Sequence, residues 1–555
     1  MTNASGNFSD DRLTAAQAFA HTMIVVDDEA GTFDPRNDLV PTNIQEPSRR
    51  KPKPETKSRE TEKGYDVSHP LDAKLLVDNA LALGLVCAIV QPSKTDHVVK
   101  SVSKAAERAD IISLDWQMHG NSGDVAKSII NQIIKVDSKN GGRLRLISIY
   151  TGVWDRNKIL TSILEGIPNR TKTKYNIRIE RNSIVSNNGL RIIWLFKGDG
   201  VARSGPIAAS QVMEKDLPSR LQQEFAELSQ GLLSNVALAT IASVRNATHH
   251  VLGKFTGEMD GPYFHHRAFL PNPIDAEDYA VSVVLSELKS AVSKQEVGAA
   301  AAGPLAIEHR ISDMIGNDAT SRKLHINGKD PIEVPTKNII SIAINGWEIA
   351  KSTPAIQSLG KKNTENGFSG LFADNYKKGR ESMMAFASLT GVRSYPASLL
   401  QSTLPKLDLG SVIKSPDKQY LLCLQATCDT VRINPEMQFY FVPLTEADEN
   451  GKPAHVVPVR KVGGTYDYVG LVLEDKAYTK AISLTFSSSG EDHNFTVRAS
   501  PIQGKPGLHF KDVCDDAYEW IANLKQRRAM RSAQGVGQDM SRIGFDEFEP
   551  FRPNP

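Results

Sequence analysis

The stretch Ile111-Ile112-Ser113-Leu114-Asp115-Trp116-Gln117-Met118-His119-Gly120 is a short, mostly apolar run ending on an acid, and the first third of the chain repeats that grammar. Met23-Ile24-Val25-Val26 precedes Asp27 and Asp28, Leu146-Ile147-Ser148-Ile149-Tyr150 precedes Thr151, and Ile192-Ile193-Trp194-Leu195-Phe196 precedes Lys197. Runs of this length and β-branched content read as buried strands. In an open parallel α/β sheet, side chains just past the carboxyl ends of the strands meet in one crevice. Three carboxylates, a hydroxyl and an ammonium are therefore expected in one pocket. Clustered carboxylates repel unless a cation joins them, and an all-oxygen donor set suits a hard ion such as Mg²⁺. Lys197 and Thr151 add a positive charge and a hydroxyl for incoming phosphoryl oxygens. A carboxylate in that setting can act as nucleophile, so the chemistry points to phosphoryl transfer onto an aspartate.

Taken singly these residues are unremarkable: an Asp-Asp pair after a strand is usually a solvated strand end or a helix cap, and Thr-Gly is usually a turn. Their order carries the signal. Ile24-Val25-Val26-Asp27-Asp28-Glu29, Leu114-Asp115 through Gly123, Tyr150-Thr151-Gly152 and Phe196-Lys197 together resemble the receiver domain of two-component response regulators. The resemblance implies a flavodoxin-like, doubly wound parallel sheet. It further implies Asp115 as phosphoacceptor, Asp28 as direct Mg²⁺ ligand, Asp27 holding the ion through water, and the Gln117 carbonyl completing the protein ligands. Thr151 and Lys197 would bind the phosphoryl oxygens, Gly152 would leave room for close approach, and Trp194 falls where the family keeps a switch aromatic that moves with Thr151. A histidine kinase or GHKL-type ATPase is the implied phosphodonor partner.

The chain departs from that family in three places. From Gly31 to Gly64 it is polar, Pro-punctuated and nearly devoid of apolar residues, which predicts a disordered insert over about 32–66. Tyr175 to Gly189 predicts an extra strand and turn before the last strand. Gly198 follows Lys197 where the family usually has proline.

The 555 residues allow several domains; 40 % hydrophobic content is enough for real cores, and a net charge of +2 gives no field for nucleic acid or anionic membrane. Four cysteines, unevenly spaced, suggest a reducing compartment. A polar N-terminus and no apolar run of membrane-spanning length lead to the expectation of a cytoplasmic protein. The domains expected are a receiver-like domain over 1–202, a helical region over 203–296, and an α+β, β-rich C-terminal domain over 303–555 with a terminal helix and tail.

In the helical region, Leu221, Phe225, Leu228, Leu232, Val236, Thr240 and Val244 predict one long amphipathic helix within Lys215 to Phe255, and Ala276 to Val292 a second. The doublets His249-His250 and His265-His266 lack the i, i+4 spacing of a chelating pair and read as ordinary histidines. Asn338 to Ile344 predicts a strand. From Gln419 onward, runs starting at Tyr420, Gln438, His455, Tyr468, Ile482 and Phe495 predict an antiparallel sheet or small barrel. Asp512 to Arg531 predicts a final helix, and the aromatic tail from Arg542 reads as a docking peptide. Cys423 and Cys428 are followed by an Asp and an Arg but have no histidine nearby, so a structural reading is favoured. No nucleotide-binding, metalloprotease or serine-hydrolase motif occurs.

Two functions follow from different classes. One is a phosphoacceptor regulator in which modification of Asp115 switches protein–protein output through the helical or C-terminal region, with a homodimer as one such output. The general layout is similar to receiver-like proteins of phage-defence operons, which implies an antiviral role. The other is an effector enzyme or binding module that keeps the receiver fold as an unphosphorylated scaffold.

Overall fold

The computed structural model describes residues 6–541, apart from 32–70, 93–97, 121, 140, 199–200, 202, 271–272, 317–318, 326–329, 374, 400–403, 449–450, 462–465, 475 and 489–494. The expected insert over 32–66 and the tail from Arg542 lie outside the described residues. By contacts the chain forms two compact units, Met1–Asp313 and Met314–Pro555.

The first unit opens with α1 (Phe8–Phe19), then alternates β1 (Thr22–Val26), α2 (Ala73–Ala82), β2 (Val86–Val90), α3 (Val98–Ala106), β3 (Ile111–Leu114), α4 (Asp124–Lys139), β4 (Arg145–Thr151), α5 (Arg156–Gly166) and the short α6 (Asn169–Tyr175). Next come β5 (Arg178–Glu180), β6 (Ser183–Val185), β7 (Leu190–Lys197), β8 (Gln211–Val212) and α7 (Leu217–Ala226). The sheet order is β2-β1-β3-β4-β7-β6-β5, with β8 beside the far half of β7. Its first five strands are mutually parallel. This is the doubly wound, flavodoxin-like order. The expected extra strand and turn is the antiparallel hairpin β5–β6, paired to β7 through Ile184 and Val185.

Buried side chains alternate strictly across the central strands, as a sheet covered on both faces requires. Ile24, Ile112, Leu114, Ile147, Ile149, Trp194 and Phe196 join the core under α3, α4 and α5. Met23, Val25, Ile111, Tyr150, Ile193 and Leu195 face α2 and α7, where Leu217, Leu221 and Phe225 close the layer. Gly31 and Asp72 form a parallel bridge, with Gly31 N–H donating to Leu71 O at 3.0 Å and Ala73 N–H to Gly31 O at 2.9 Å. The chain thus returns to where it left the sheet. Arg145 is wholly buried at the start of β4. It donates two bonds to the Asp137 carboxylate at 2.8 and 2.9 Å and two to the carbonyls of Ala106 and Ala109 at 2.6 and 2.8 Å. A buried guanidinium is tolerable only when its donors are used this fully.

The long helix expected within Lys215 to Phe255 is two helices. α7 ends at Ala226 and α8 runs Leu232–Leu252. Ser234 Oγ accepts the Gly231 N–H at 2.9 Å, a side-chain cap that starts a new helix at Gly231. The break changes the phase of the buried face: Asn235, Leu238 and Ala242 turn inward, not Leu232, Val236 and Thr240. α8 lies on α1, with Arg245 donating to Phe19 O at 2.7 Å and stacking on its ring. α9 (Asp260–Phe269), α10 (Asp275–Lys294), α11 (Val297–Ala302) and α12 (Pro304–Ile315) follow, α10 being the second helix expected. The histidine doublets make ring contacts, His265 with Phe269 and His266 with Tyr279, each at 4.6 Å.

The second unit begins with the hairpin β9 (Ser321–Leu324) and β10 (Ile332–Pro335). Where a strand was expected at Asn338, the chain is α13 (Thr336–Asn345), burying Asn338, Ile339 and Ile342 along one helical face. A short apolar run cannot distinguish the two by periodicity. α14 (Trp347–Ala350), α15 (Pro354–Gln357), α16 (Lys361–Gly367) and α17 (Tyr376–Gly391) lead into a ten-stranded antiparallel sheet. Its strands are β11 (Val392–Ser394), β12 (Ser411–Lys414), β13 (Tyr420–Cys423), β14 (Glu436–Glu446), β15 (His455–Arg460), β16 (Tyr466–Leu473), β17 (Ile482–Ser487), β18 (Ser500–Pro501), β19 (Leu508–Lys511) and β20 (Ala517–Leu524). The run at Phe495 makes only an isolated bridge from Arg498 to Lys406. The expected helix over Asp512 to Arg531 is instead a turn at Val513 and Cys514, then β20, then the start of α18 (Gln526–Met540). β20 pairs with β11, β12 and β19, and sheet pairing on both edges overrides local preference. Trp520 enters an aromatic core with Phe439, Phe441, Phe486 and Phe510, while Ile521 and Leu524 face α18. Cys423 is fully buried there, its thiol pushed up to about 12 by burial, and Cys428 is exposed.

His455 gives this unit a pH-dependent stability. It is buried on β15 with Nε2 at 3.1 Å from Ser532 Oγ of α18, and its pKa is lowered from 6.5 to about 4 by burial and by Arg528. The folded state keeps this imidazole neutral while the unfolded chain takes up a proton below pH 6.5. Stability is therefore intact above pH 6.5 and falls steadily toward pH 4, by about 3 kcal/mol in all. Urea unfolding of wild type and His455→Gln at pH 7.0 and 5.0 checks this; the variant should lose less on acidification.

Candidate functional site

The carboxyl ends of β1, β3, β4 and β7 bring the expected residues to one edge of the first sheet. Asp27, Asp28 and Asp115 each present a carboxylate oxygen within 4.8 Å of the others, the one group of three potential ligand residues among the described residues. Asp27 is 2 % exposed. One of its oxygens accepts Lys197 Nζ–H at 2.8 Å and the other accepts the Glu29 N–H at 2.9 Å. Lys197 is closer to Asp27 than to Asp115, whose Oδ1 lies 3.8 Å away. Asp115 accepts the Trp116 N–H at 2.7 Å and is also bonded by the Gln117 N–H. Burial pushes its pKa up to about 6, Lys197 opposes the rise, and Asp27 adds to it. Burial alone would lower the Lys197 ammonium, yet Asp115 and Asp27 together hold it above its ordinary range. The pocket thus holds a firmly protonated lysine among three acids.

Thr151, the last residue of β4, is fully buried and its Oγ accepts the Val153 N–H at 3.3 Å. Trp194 lies on β7 beside Ile149 of β4, facing the core under α5. Its Nε1–H donates to the Val153 carbonyl at 3.1 Å, which ties this aromatic to the turn that Thr151 begins. The Gln117 carbonyl accepts the Gly120 N–H at 3.0 Å, so one of its lone pairs is used locally and one remains for a ligand. Gly123 explains the turn after Asp115: its φ is +88°, and a Cβ there would sit 2.2 Å from the Trp116 ring. Gly198 has a local reason too. Its N–H donates to Val212 O at 2.9 Å, extending the β7–β8 pairing, and a proline would forfeit that bond.

Two contributors were not read from the sequence. His119, in left-handed conformation with φ 57°, donates its backbone N–H to Asp28 Oδ2 at 2.6 Å and places Nδ1 3.2 Å from the same oxygen. Its only sequence signal is its place in the turn after Asp115. Glu214, beyond β8, accepts the Asp72 N–H at 3.0 Å and is raised by burial beside the pocket's charges. Nothing in its surroundings marks it locally.

Residues 19–202 match the family model of the response receiver domain. The first domain of this chain is a receiver domain of the response-regulator type. Comparisons with curated proteins and with solved structures gave no match. Receiver domains hold Mg²⁺ at an acidic cluster of this kind, and the donors here fit it: three hard carboxylates, one carbonyl lone pair, and a formal charge that one divalent cation neutralises. The receiver assignment also implies a kinase-type partner in general terms. Among the described residues no helix is long and apolar enough to cross a membrane.

Proposed function

We propose that this protein is a two-component-type regulator whose receiver domain accepts a phosphoryl group on Asp115 in a Mg²⁺-dependent reaction, switching a protein–protein output. The observation that carries the proposal is the convergence of Asp27, Asp28, Asp115 and Lys197 on one buried crevice at the sheet edge. Asp27, Asp28, Asp115 and the Gln117 carbonyl would hold the ion, which when bound neutralises charge on the phosphoryl oxygens. An Asp115 oxygen forms the new P–O bond while the donor's leaving group departs with the electron pair of the old one. Lys197 holds a phosphoryl oxygen by charge. The Thr151 hydroxyl donates to another, and the pull on Thr151 travels through the Val153 turn to Trp194.

The donor would be a histidine kinase or a GHKL-type ATPase. Exposed apolar side chains on α9 and α10, among them Phe264, Phe269, Tyr279 and Leu285, support the helical region as the output surface, for another protein or a second copy. A role in antiviral defence rests on the general layout alone, as does a cytoplasmic setting on composition. To test the central step, the full chain is incubated with acetyl phosphate, with Mg²⁺ or with EDTA, and its intact mass is read. One base-labile phosphoryl group that needs Mg²⁺ supports the reading; an unmodified mass under both conditions sinks it.

A further inference from the structure

Four arginines from four separate elements surround a second cavity of the receiver unit, which Trp194 also lines. The cavity measures about 230 Å³ and is lined by Arg156, Arg181, Arg191, Arg220, Glu224 and Trp194, among others. Arg156 begins α5, Arg181 sits in the β5–β6 turn, Arg191 is the second residue of β7 and Arg220 is on α7. Glu224 is the one acid in the lining. Both its oxygens are engaged, by Arg191 Nη2 at 2.9 Å and by Arg220 Nη2 at 2.8 Å. Arg191 Nη1 also donates to Ser183 Oγ at 3.1 Å. That network engages two guanidinium groups with one carboxylate, and Arg156 and Arg181 form no ion pair among the described residues, so the lining carries a formal excess of three positive charges.

We infer that this cavity is a binding site for an oligophosphate group. Arginine cannot shed its proton, so four guanidiniums against one carboxylate leave a formal excess of positive charge that an anion in the cavity would offset. The Nε–H groups of Arg156, Arg191 and Arg220 are buried without a hydrogen-bond partner among the described residues, an arrangement that a purely structural network avoids. Guanidinium forks match phosphate oxygens two at a time, and the charge of pyrophosphate balances the excess. The volume sets the size class. Pockets for whole drug-sized ligands run from about 300 to 1,000 Å³, so this one takes the phosphate groups and leaves any attached nucleoside outside.

The backbone adds a separate argument. Arg181 and Asn182 form a two-residue hairpin turn with φ 45° and 66°. Such turns favour Asn-Gly, because a left-handed conformation is disfavoured for an ordinary residue. An arginine is held there against that cost, with its side chain on the cavity. Because Trp194 lines the cavity and also bonds Val153, occupancy would bias the same turn that Thr151 begins.

Isothermal titration of the full chain in EDTA, at constant ionic strength, with pyrophosphate, ADP and sulfate, tests the inference without any phosphorylation of Asp115. Saturable single-site binding of pyrophosphate is expected, weakened roughly tenfold or more in the double variant Arg156→Gln, Arg181→Gln, neither residue being part of the Glu224 network. ADP binding as tightly as pyrophosphate identifies a nucleotide tail as the source, and pyrophosphate binding alone identifies the free anion. Arg181→Gln by itself, at an exposed turn, gives the same comparison should the double variant not fold. Saturation by neither phosphate ligand, sulfate binding as tightly as pyrophosphate, or an affinity unchanged in both variants overturns the assignment.

Discussion

Replacing Lys197 with Met is expected to slow phosphorylation by a small acyl phosphate about 10²–10³-fold, the usual consequence of removing one positioned charge donor from a phosphoryl or oxyanion site. The same substitution should destabilise the receiver unit. Asp27 is 2 % exposed and has Lys197 as its ion-pair partner at 2.8 Å. Deleting one member of a buried pair leaves the other charge without compensation and costs roughly 3–5 kcal/mol. The loss should be largest in EDTA and partly recovered in Mg²⁺, because a cation bound only by the folded state substitutes for the missing ammonium. Hydrogen exchange of the peptides covering Thr22–Val26, Ile111–Leu114 and Leu190–Lys197, with and without Mg²⁺, reads this directly. Exchange in those strands that is unchanged by the substitution would mean that Lys197 does not neutralise the pocket.

Replacing Asp115 with Asn should abolish modification by the phosphodonor and at the same time stabilise the metal-free protein near neutral pH. Burial raises the Asp115 pKa from 3.8 to about 6. Above pH 6 the carboxylate is ionised in folded and unfolded chains alike, and only the folded chain bears the cost of burying it. As pH falls through 6 the folded state takes up its proton first, and the cost is fully relieved near pH 3.8. The wild-type receiver unit, in EDTA, should therefore gain about 2 kcal/mol from this group on acidification from pH 7 to pH 4, while the Asn variant lacks that gain and starts from a higher stability at pH 7. Mg²⁺ should reverse the order, since it binds the ionised carboxylate and not the amide. Equal pH profiles for the two proteins in EDTA would contradict the burial of an ionised Asp115.

The receiver sheet was legible because its strands are short, fully buried and each ends on a residue with a distinct chemistry. Asp27, Asp28, Asp115, Thr151 and Lys197 mark strand ends that no helix periodicity mimics, and their order fixes the sheet. What was illegible depends on contacts distant in the chain. Leu221, Phe225 and Leu228 continue smoothly into Leu232 and Val236 on paper, yet Gly231 with Ser234 as its cap ends one helix and starts another. Trp520, Ile521 and Leu524 share a helical face, but pairing with β12 and β19 draws them into a strand whose alternate residues enter two different cores. Ile339 and Ile342 fit either period, and packing decided for the helix. The arginine cavity could not have been read in advance: Arg156, Arg181, Arg191 and Arg220 are scattered in the chain and meet only because the β5–β6 hairpin folds back beside β7 and α7. His119 at Asp28 is a lesser case, visible as a position but silent as to role.

That hairpin and the helices after β8 distinguish this domain from a bare phosphoacceptor. β6 and β8 share the outer edge of β7, so the strand carrying Trp194 and Lys197 is paired along both edges. Behind that strand α7 packs on Ile193 and Leu195, and α1 packs on both α7 and α8. The route is a contiguous packed path and proposes where an output would begin.

The central claim is that Asp115 receives the phosphoryl group. An acyl phosphate is reduced by borohydride to homoserine while free carboxylates are untouched, so the position of homoserine reports the acceptor. After treatment with acetyl phosphate and Mg²⁺, trapping and peptide sequencing by mass spectrometry should find homoserine at position 115, and none when Mg²⁺ is withheld. Homoserine at Asp27, Asp28 or elsewhere, or its absence from position 115 in the presence of donor and Mg²⁺, would contradict it.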